Sequence, residues 1–331
     1  MRAVICEQFS SYQDLRLAEV AAPEMKPGCV RIAVHFASVS YAISLMVAGK
    51  YQRKMSLPFI PGTEVSGYVL ECGEGVSEFK PGDPVAAIVD AGAYGDEVVV
   101  DPATVYPLPP GLPLVKAVSV PLSFGTAATA LERGGVGPGK TVLVTGAGGA
   151  LGLAAVQVAR LRGATVIGAA SSELKRDAAL AAGASHVIDY SADDLIDSVR
   201  SLTDGRGADL VFDPVGGEVF ERLIRCTAIE GSILSLGFAS GDIPVVPVNL
   251  LLVKNISLFG VNFSEYVGWG KQDRRHEFAR QVKKLMAWLF NEADNNLAIK
   301  QPEVYTLDDF EAAIDCVVGR RSIGKVVITT R

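Results

Sequence analysis

TVLVTGAGGALGLAAVQVARLRGATVIGAASSELK, Thr141 to Lys175, decides the architecture of this chain. An apolar run rich in β-branched residues, TVLVT, meets a glycine turn. An apolar helical stretch follows, and then a second β-type run, TVIGA. Strand, glycine turn, helix and strand in this order form the opening unit of a dinucleotide-binding fold. The strict pattern G-x-G-x-x-G fails, because counting from Gly146 the sixth position is Leu151; shifted by one it reads A-x-G-x-x-G, with Ala147, Gly149 and Gly152. The middle glycine admits close approach of a pyrophosphate, and the last lets the helix pack tightly on the strand. The helix starting near Ala150 turns its N-terminal amides and positive dipole end toward the phosphates. Gly146, Ala147, Gly149, Ala150, Leu151 and Gly152 are therefore assigned to cofactor binding. Glycines alone would make only a tight turn; the flanking strands and helix favour the cofactor reading.

At the end of the second strand, where such folds usually carry an acid that binds a ribose 2′-hydroxyl, the chain reads Ser171, Ser172 and, one turn into the next helix, Lys175. A carboxylate would repel a 2′-phosphate, whereas two hydroxyls and an ammonium accept one. This points to NADPH. Either serine also suits the N-cap of the helix beginning ELKRDAAL, and capping is compatible with the first role. Tyr190, closing HVIDY, is expected near the same adenosine edge if the strands take their usual order, and reads equally as an ordinary strand-end residue.

Beyond this unit the alternation continues: HVIDY, then ADDLIDSVRSL; DLVFD, then EVFERLIRC; then SILSLGF and NISLFGV, Asn255 to Val261. Such alternation predicts a doubly wound parallel sheet flanked by helices. Before it, residues 1–120 read as short β-rich runs (VRIAV, VSGYVLEC, DEVVV) between turn signals, a small β-barrel domain. After it come a long amphipathic helix through HEFARQVKKLMAWLF and a closing strand KVVIT. The expectation is an α/β protein with its dinucleotide domain at 121–262, and a β-barrel domain at 1–120 completed by 263–331.

A chain of 331 residues has room for two cores. Its 31 Lys and Arg against 37 Asp and Glu leave a net charge of −6 and no run of one sign, so no nucleic-acid partner is expected. Apolar residues come in bursts broken by 34 glycines and 17 prolines, short of the roughly 18 that a membrane span needs. No membrane partner is expected. The opening MRAVICEQFS lacks the apolar core of a signal peptide and reads as a strand, making the cytoplasm the default. Five scattered cysteines, none in a Cys-x-x-Cys pair, argue against a disulfide framework or a structural zinc site.

LPFIPGTEVSGYVLECGEGVSEFKPGD, VLVTGAGGALGLAAVQVAR, AASSELK, VIDY, LVFDPVGGEVF and GRRSIGKVVIT occur in this order over nearly the whole chain. Together they resemble the zinc-independent quinone oxidoreductases, the zeta-crystallin-like branch of the medium-chain dehydrogenase/reductase superfamily. The resemblance implies a GroES-like catalytic domain built from both termini and a Rossmann domain between. It also implies an active-site cleft at their junction, assembly as a homodimer or homotetramer, and hydride transfer from NADPH to a quinone or another α,β-unsaturated carbonyl. An enoyl-thioester reductase is the alternative within enzymes, and single-stranded nucleic-acid binding the alternative outside them. Zinc-dependent relatives carry a catalytic cysteine, a Gly-His-Glu motif and four clustered cysteines. This chain has SVSYA, Gly62-Thr63-Glu64 and no cluster, and its histidines, His35, His186 and His276, are scattered, so no metal is expected.

The resemblance also distributes roles. Ser40 stands where relatives usually have an asparagine, and Ile43 where many have an aspartate. Ser40, Tyr51 and Thr126 are the implied catalytic positions, and Tyr41, Ile43 and Tyr51 the implied substrate pocket, more apolar here than in relatives; Tyr51 reads equally as an ordinary interdomain packing aromatic. Phe238, Asn262, Phe263 and Arg320 match neighbourhoods that close over the cofactor, although Arg321 competes with Arg320.

Overall fold

The computed structural model describes residues 1–191 and 194–331. Its chain forms two compact units, residues 1–122 with 263–331, and residues 123–262.

The first unit opens with β1 (Arg2–Ile5) paired antiparallel to β2 (Arg16–Glu19). It continues through β3 (Val30–Val39), α1 (Tyr41–Val47), β4 (Glu64–Cys72), β5 (Pro84–Ile88), β6 (Glu97–Val100), β7 (Val105–Pro107) and α2 (Leu114–Ala117). The runs VRIAV, VSGYVLEC and DEVVV are the seeds of β3, β4 and β6.

The chain then enters the second unit: α3 (Gly125–Arg133), β8 (Thr141–Thr145), α4 (Ala150–Leu161), β9 (Thr165–Ala169), α5 (Glu173–Ala181) and β10 (His186–Ile188). After these come α6 (Leu195–Ser201), β11 (Ala208–Asp213), α7 (Val219–Cys226), β12 (Thr227–Ser235), α8 (Val248–Lys254) and β13 (Ser257–Gly260). Ala192 and Asp193, the expected start of the helix through ADDLIDSVRSL, lie outside the described residues. All six strands are parallel, in the order β10-β9-β8-β11-β12-β13. Every residue of β8 is buried, as expected of a central parallel strand covered by helices on both faces. Leu143, Ile167, Val211 and Ile233 from the strands pack with Leu195, Phe220 and Leu223 from the helices. Strand order reverses direction between β8 and β11, and the crevice at the carboxyl ends of those strands is where such a sheet binds its ligand.

Returning to the first unit, the chain adds α9 (Arg275–Asn295), β14 (Glu303–Thr306), α10 (Phe310–Val318) and β15 (Val326–Thr329). Strand β15 pairs antiparallel with β3, which completes a seven-stranded sheet ordered β14-β15-β3-β4-β5-β7 with β6 also on β3. Val30, Ile32 and Val34 of β3 share a core with Val65 and Val69 of β4, Val85 of β5, and Phe310 and Ile314 of α10. One reading of the sequence needs correction. Leu114–Arg133, running from α2 through a turn and a wider helical turn at Val120–Phe124 into α3, is 20 residues, long and apolar enough by composition to cross a membrane, and 67% of its most apolar 18-residue stretch is buried inside the protein. Its alanines and glycine blend into the background in the sequence yet count as apolar surface once helical.

Candidate active site

In the second unit the glycine turn is built as close packing demands. Gly146 has φ +58°, a conformation that glycine adopts without steric cost. A Cβ on Gly152 would lie 2.2 Å from the Gly146 carbonyl oxygen and 2.8 Å from the Ala147 Cα, so only glycine fits where helix and turn cross. Gly149 is the N-cap of α4, and the Leu153 amide donates to the Gly149 carbonyl at 2.8 Å. That leaves the amides of Ala150, Leu151 and Gly152 in the first turn, facing outward from the helix N-terminus. Ala147 is buried, its amide donating to Ala169 at the end of β9 at 3.1 Å.

Around this turn the structure gathers the residues expected at a 2′-phosphate. A Cβ on Gly148 would meet the Lys175 Cβ at 2.4 Å and its Cα at 2.9 Å, so the first turn of α5 lies directly on the glycine turn. Ser171 and Ser172 are exposed beside it. Ser172 occupies the N-cap position of α5 with φ −133° and ψ 150°, yet its side chain makes no capping hydrogen bond. The expected capping role is thus positional only, and the hydroxyl is available to a ligand. Tyr190 packs half-buried against the core of this unit. Arg176 was not singled out from the sequence. Its Nη1 donates to the Ala170 carbonyl at 3.4 Å and pairs with Asp189 at 2.6 Å, pinning the end of β9 to the end of β10. Hydrogen bonds from Ser191, and then the Arg176 charge, hold the Asp189 carboxyl below the ordinary carboxylate range.

A third group forms at the ends of β8, β11 and β12. Asp213 is fully buried, and its carboxylate accepts from Thr145 Oγ1 at 2.5 Å and from the Val215 and Gly216 amides at 3.0 Å each. Burial raises the Asp213 carboxyl above its ordinary value, and these hydrogen bonds oppose the rise. Phe238 is 39% exposed, and its ring edge lies 2.9 Å from where a Cβ on Gly216 would be. Thr126 is half-buried at the second position of α3, and Asn262 is exposed after β13. The donor set of the turn, two serines and a lysine suits a phosphate-bearing dinucleotide.

In the first unit, Ser40 is the N-cap of α1 and, like Ser172, makes no side-chain capping hydrogen bond. Tyr41 follows it, half-buried. Ile43 corrects the expectation of a pocket residue: it is 1% exposed and packs in the core of this unit with Met46 and Val47. At that exposure its side chain supplies core volume rather than a lining surface. Tyr51 packs half-buried against the same core. Its loop is anchored by Arg53, whose Nη1 lies 3.1 Å from Asp90 Oδ1. Asp90 also receives the Trp269 indole at 3.1 Å and the Arg275 guanidinium at 2.8 and 2.9 Å, so one carboxylate ties three segments together. Phe263 is buried, with its ring 6.2 Å from Tyr266. Arg320 is exposed with φ +56°.

Glu64, which stands at a zinc-ligand position, and two of the scattered histidines have other partners. Glu64 is fully buried; one oxygen accepts the Leu122 amide at 2.7 Å and the other the Lys325 ammonium at 2.8 Å. His35 stacks edge-on against Tyr68, and His276 faces Asp101 at 2.9 Å. Among the described residues no three His, Cys, Asp or Glu side chains are grouped to hold a metal ion.

Comparison with known proteins agrees with this layout. Residues 26–110 match the alcohol dehydrogenase GroES-like domain, and residues 150–288 the domain described as zinc-binding dehydrogenase. The chain is 38% identical to quinone oxidoreductase-like protein 2 of Mus musculus, over 100% of this chain and 92% of that protein. It is 38% identical to the homologue of that protein from Nematostella vectensis, over 91% and 82%. The quinone oxidoreductase of Thermus thermophilus, solved also in complex with NADPH, superposes with a TM-score of 0.85 at 31% identity, with 100% of both chains covered.

Proposed function

The chain belongs to the quinone oxidoreductase family of the medium-chain dehydrogenase/reductase superfamily, and from that premise we propose that it is an NADPH-dependent reductase of quinones or other α,β-unsaturated carbonyls. The observation that carries this reading is Lys175 packed on Gly148 of the glycine turn, with the Ser171 and Ser172 hydroxyls beside it and no acid at the end of β9. The turn amides and the N-terminus of α4 hold the diphosphate. Ser171, Ser172 and Lys175 hold the 2′-phosphate, and Tyr190 packs by the adenosine. When bound, NADPH supplies hydride from its nicotinamide ring.

The protein's own work is to align the donor and acceptor carbons and to polarise the acceptor carbonyl. Phe238, Thr126 and Asn262 of the second unit are assigned to the nicotinamide end. Ser40 and Tyr41, at the start of α1, and Tyr51 act on the acceptor; the Ser40 and Tyr51 hydroxyls orient it or relay the proton that follows hydride. The commitment of both Glu64 oxygens to Leu122 and Lys325, with Thr63 in place of a histidine, supports a reaction without zinc. Conjugation in the acceptor then replaces a Lewis acid.

The active form is proposed to be a homodimer. Strand β13 is the outer strand of its sheet, with Leu258 37% exposed on it. Beside it, α8 exposes Val248, Leu252 and Val253, and Val245 just before that helix is 92% exposed. An unpaired edge flanked by apolar side chains invites pairing with a second copy.

Titrating nicotinamide fluorescence tests the cofactor, with NADPH expected to bind well ahead of NADH; equal affinities would sink the reading of the serine pair. Following NADPH oxidation against ortho- and para-quinones, enals, enones and enoyl thioesters tests the acceptor. Turnover confined to the thioesters would overturn the quinone and enone assignment.

A further inference from the structure

We propose that Asp213 is a positioning residue for the diphosphate and nicotinamide part of the cofactor, its carboxylate fixing the spacing of three strand-end loops at the point where the sheet reverses order; this rests on the NADPH reading. Thr145 is the last residue of β8 and Asp213 the last of β11, adjacent strands on either side of that reversal. The Thr145 Oγ1 bond to Asp213 Oδ1 at 2.5 Å therefore spans the crevice floor where a dinucleotide lies in this architecture. Thr145 leads directly into Gly146, so the bond sets the height at which the glycine turn begins.

From Asp213 the coupling runs to the other two loops. Oδ1 also accepts the Val215 amide and Oδ2 the Gly216 amide, each at 3.0 Å, which curls the Pro214–Gly217 segment back over the strand end. Gly216 and Gly217 take φ +64° and +68° to make that curl. The Asp213 carbonyl accepts the Leu236 amide at 3.0 Å, and Pro214 and Val215 accept from Ala239 at 3.1 Å and Ser240 at 2.9 Å. The loop carrying Phe238 is thereby stitched to the loop that Asp213 shapes. Val215 in turn bears on the glycine turn: its Cγ2 lies 3.2 Å from where a Cβ on Gly146 would be.

A carboxylate is the group that can do this. It offers acceptor sites on both oxygens and no donor, and it meets one hydroxyl and two amides. Asparagine would turn an N–H toward one of these donors. A buried charge with hydroxyl and amide partners is costly to keep for stability alone, since an apolar strand end would close the sheet without it. Its geometric effect falls on the turn that takes the diphosphate and on the loop that holds Phe238. The Asp213 bonds run to the start of the glycine turn and to the Pro214–Gly217 segment, whereas Ser171, Ser172 and Lys175 come from the other side of the turn, between β9 and α5 and on the first turn of α5.

That separation gives the test. Thr145→Val, Thr145→Ser and Asp213→Asn are compared for binding of NADPH and of adenosine 2′-monophosphate, which lacks the diphosphate and nicotinamide, alongside the denaturation midpoint. Thr145→Val and Asp213→Asn are expected to weaken NADPH about tenfold, as loss of a hydrogen bond to a charged group gives, and to leave the 2′-monophosphate within about twofold. Thr145→Ser, which keeps the hydroxyl, restores NADPH binding. If Asp213→Asn fails to fold, the Thr145 pair carries the comparison. Equal loss of both ligands in Thr145→Val, or loss of neither, overturns the positioning role. Failure of the unaltered protein to bind NADPH would remove the cofactor reading and this proposal with it.

Discussion

Glu64 and Lys325 form an ion pair at 2.8 Å with side-chain exposures of 0% and 6%, joining β4 to the residue just before β15 across 261 positions of sequence. A pair so buried is stable only while both partners remain. Removing one strands the other charge in a low-dielectric interior at a cost of about 3 kcal/mol or more. Glu64→Gln retains an acceptor for the Leu122 amide but removes the negative charge facing the Lys325 ammonium, and is expected to lower the stability of the first unit by that amount in urea denaturation. Glu64→Leu combined with Lys325→Met should be less destabilised than Glu64→Gln alone. An unchanged midpoint in Glu64→Gln would show that the pair contributes nothing.

Replacing Ser40 and Ile43 by the residues usual in relatives, Asn and Asp, should give opposite results. Ser40 is a half-buried N-cap whose hydroxyl makes no capping bond, so Ser40→Asn puts a preferred capping residue in place and should leave the protein at least as stable. Ile43 is 1% exposed in an apolar core. Ile43→Asp buries an unpaired carboxylate and should cost more than about 3 kcal/mol. Thermal melts of the two variants, alongside their acceptor profiles, check this; a folded Ile43→Asp with near-native melting would show that the site opens to solvent.

The parallel sheet was readable from residues 141–261 because every strand there except the last, β13, is followed by its own helix, a purely local pattern. Glu64 and Lys325 were not readable as partners, since they meet only when the C-terminal strand returns to pair with β3. Ser171, Ser172 and Lys175 were visible because they follow the turn at a fixed offset. Arg176, one position on, was missed because its partner Asp189 lies on the next strand. A signal for Asp213 was present: a charged residue ending the apolar run LVF and followed by Pro-Val-Gly-Gly. It read as an ordinary strand end because the hydroxyl that meets it, on Thr145, belongs to a different strand. Ile43 was misjudged for the opposite reason. A likeness of segments assigns a position to a pocket without saying which face of a short helix it occupies.

Gly148 offers a way to move Lys175 without changing it. A methyl group there would sit 2.4 Å from the Lys175 Cβ and 2.9 Å from its Cα, so Gly148→Ala must push the start of α5 off the turn. NADPH affinity is expected to fall about tenfold while NADH affinity, which involves no 2′-phosphate, changes by less than about threefold. Lys175→Ala should produce the same loss of preference. Parallel loss of both cofactors in Gly148→Ala would mean that the turn itself collapses.

Asp90 joins the loop of Tyr51 to the segment around Trp269 through Arg53 and Arg275. Asp90→Asn keeps the size but halves the acceptors and removes the charge from two guanidinium groups. If Tyr51 orients the acceptor, the KM for quinone should rise by about fivefold with NADPH affinity changed by less than about twofold, because the glycine turn, Ser171, Ser172 and Lys175 belong to the second unit. A fall in NADPH affinity with an unaltered quinone KM would place Tyr51 outside the acceptor site.

Association through β13 and α8 is tested by charge. Val248 and Leu252 are four residues apart on one face of α8 and are 69% and 76% exposed, so a lysine at each disturbs no internal packing. If two copies meet there, the change buries four like charges at a symmetric interface, since each copy presents the same patch. Val248→Lys with Leu252→Lys should then sediment as a monomer at concentrations where the unaltered protein is a dimer. NADPH binding should survive, because the glycine turn and Lys175 lie on β8, α4 and α5. A variant that stays dimeric with the same dissociation constant would move the interface elsewhere, whereas loss of cofactor binding together with loss of the dimer would tie the site to assembly.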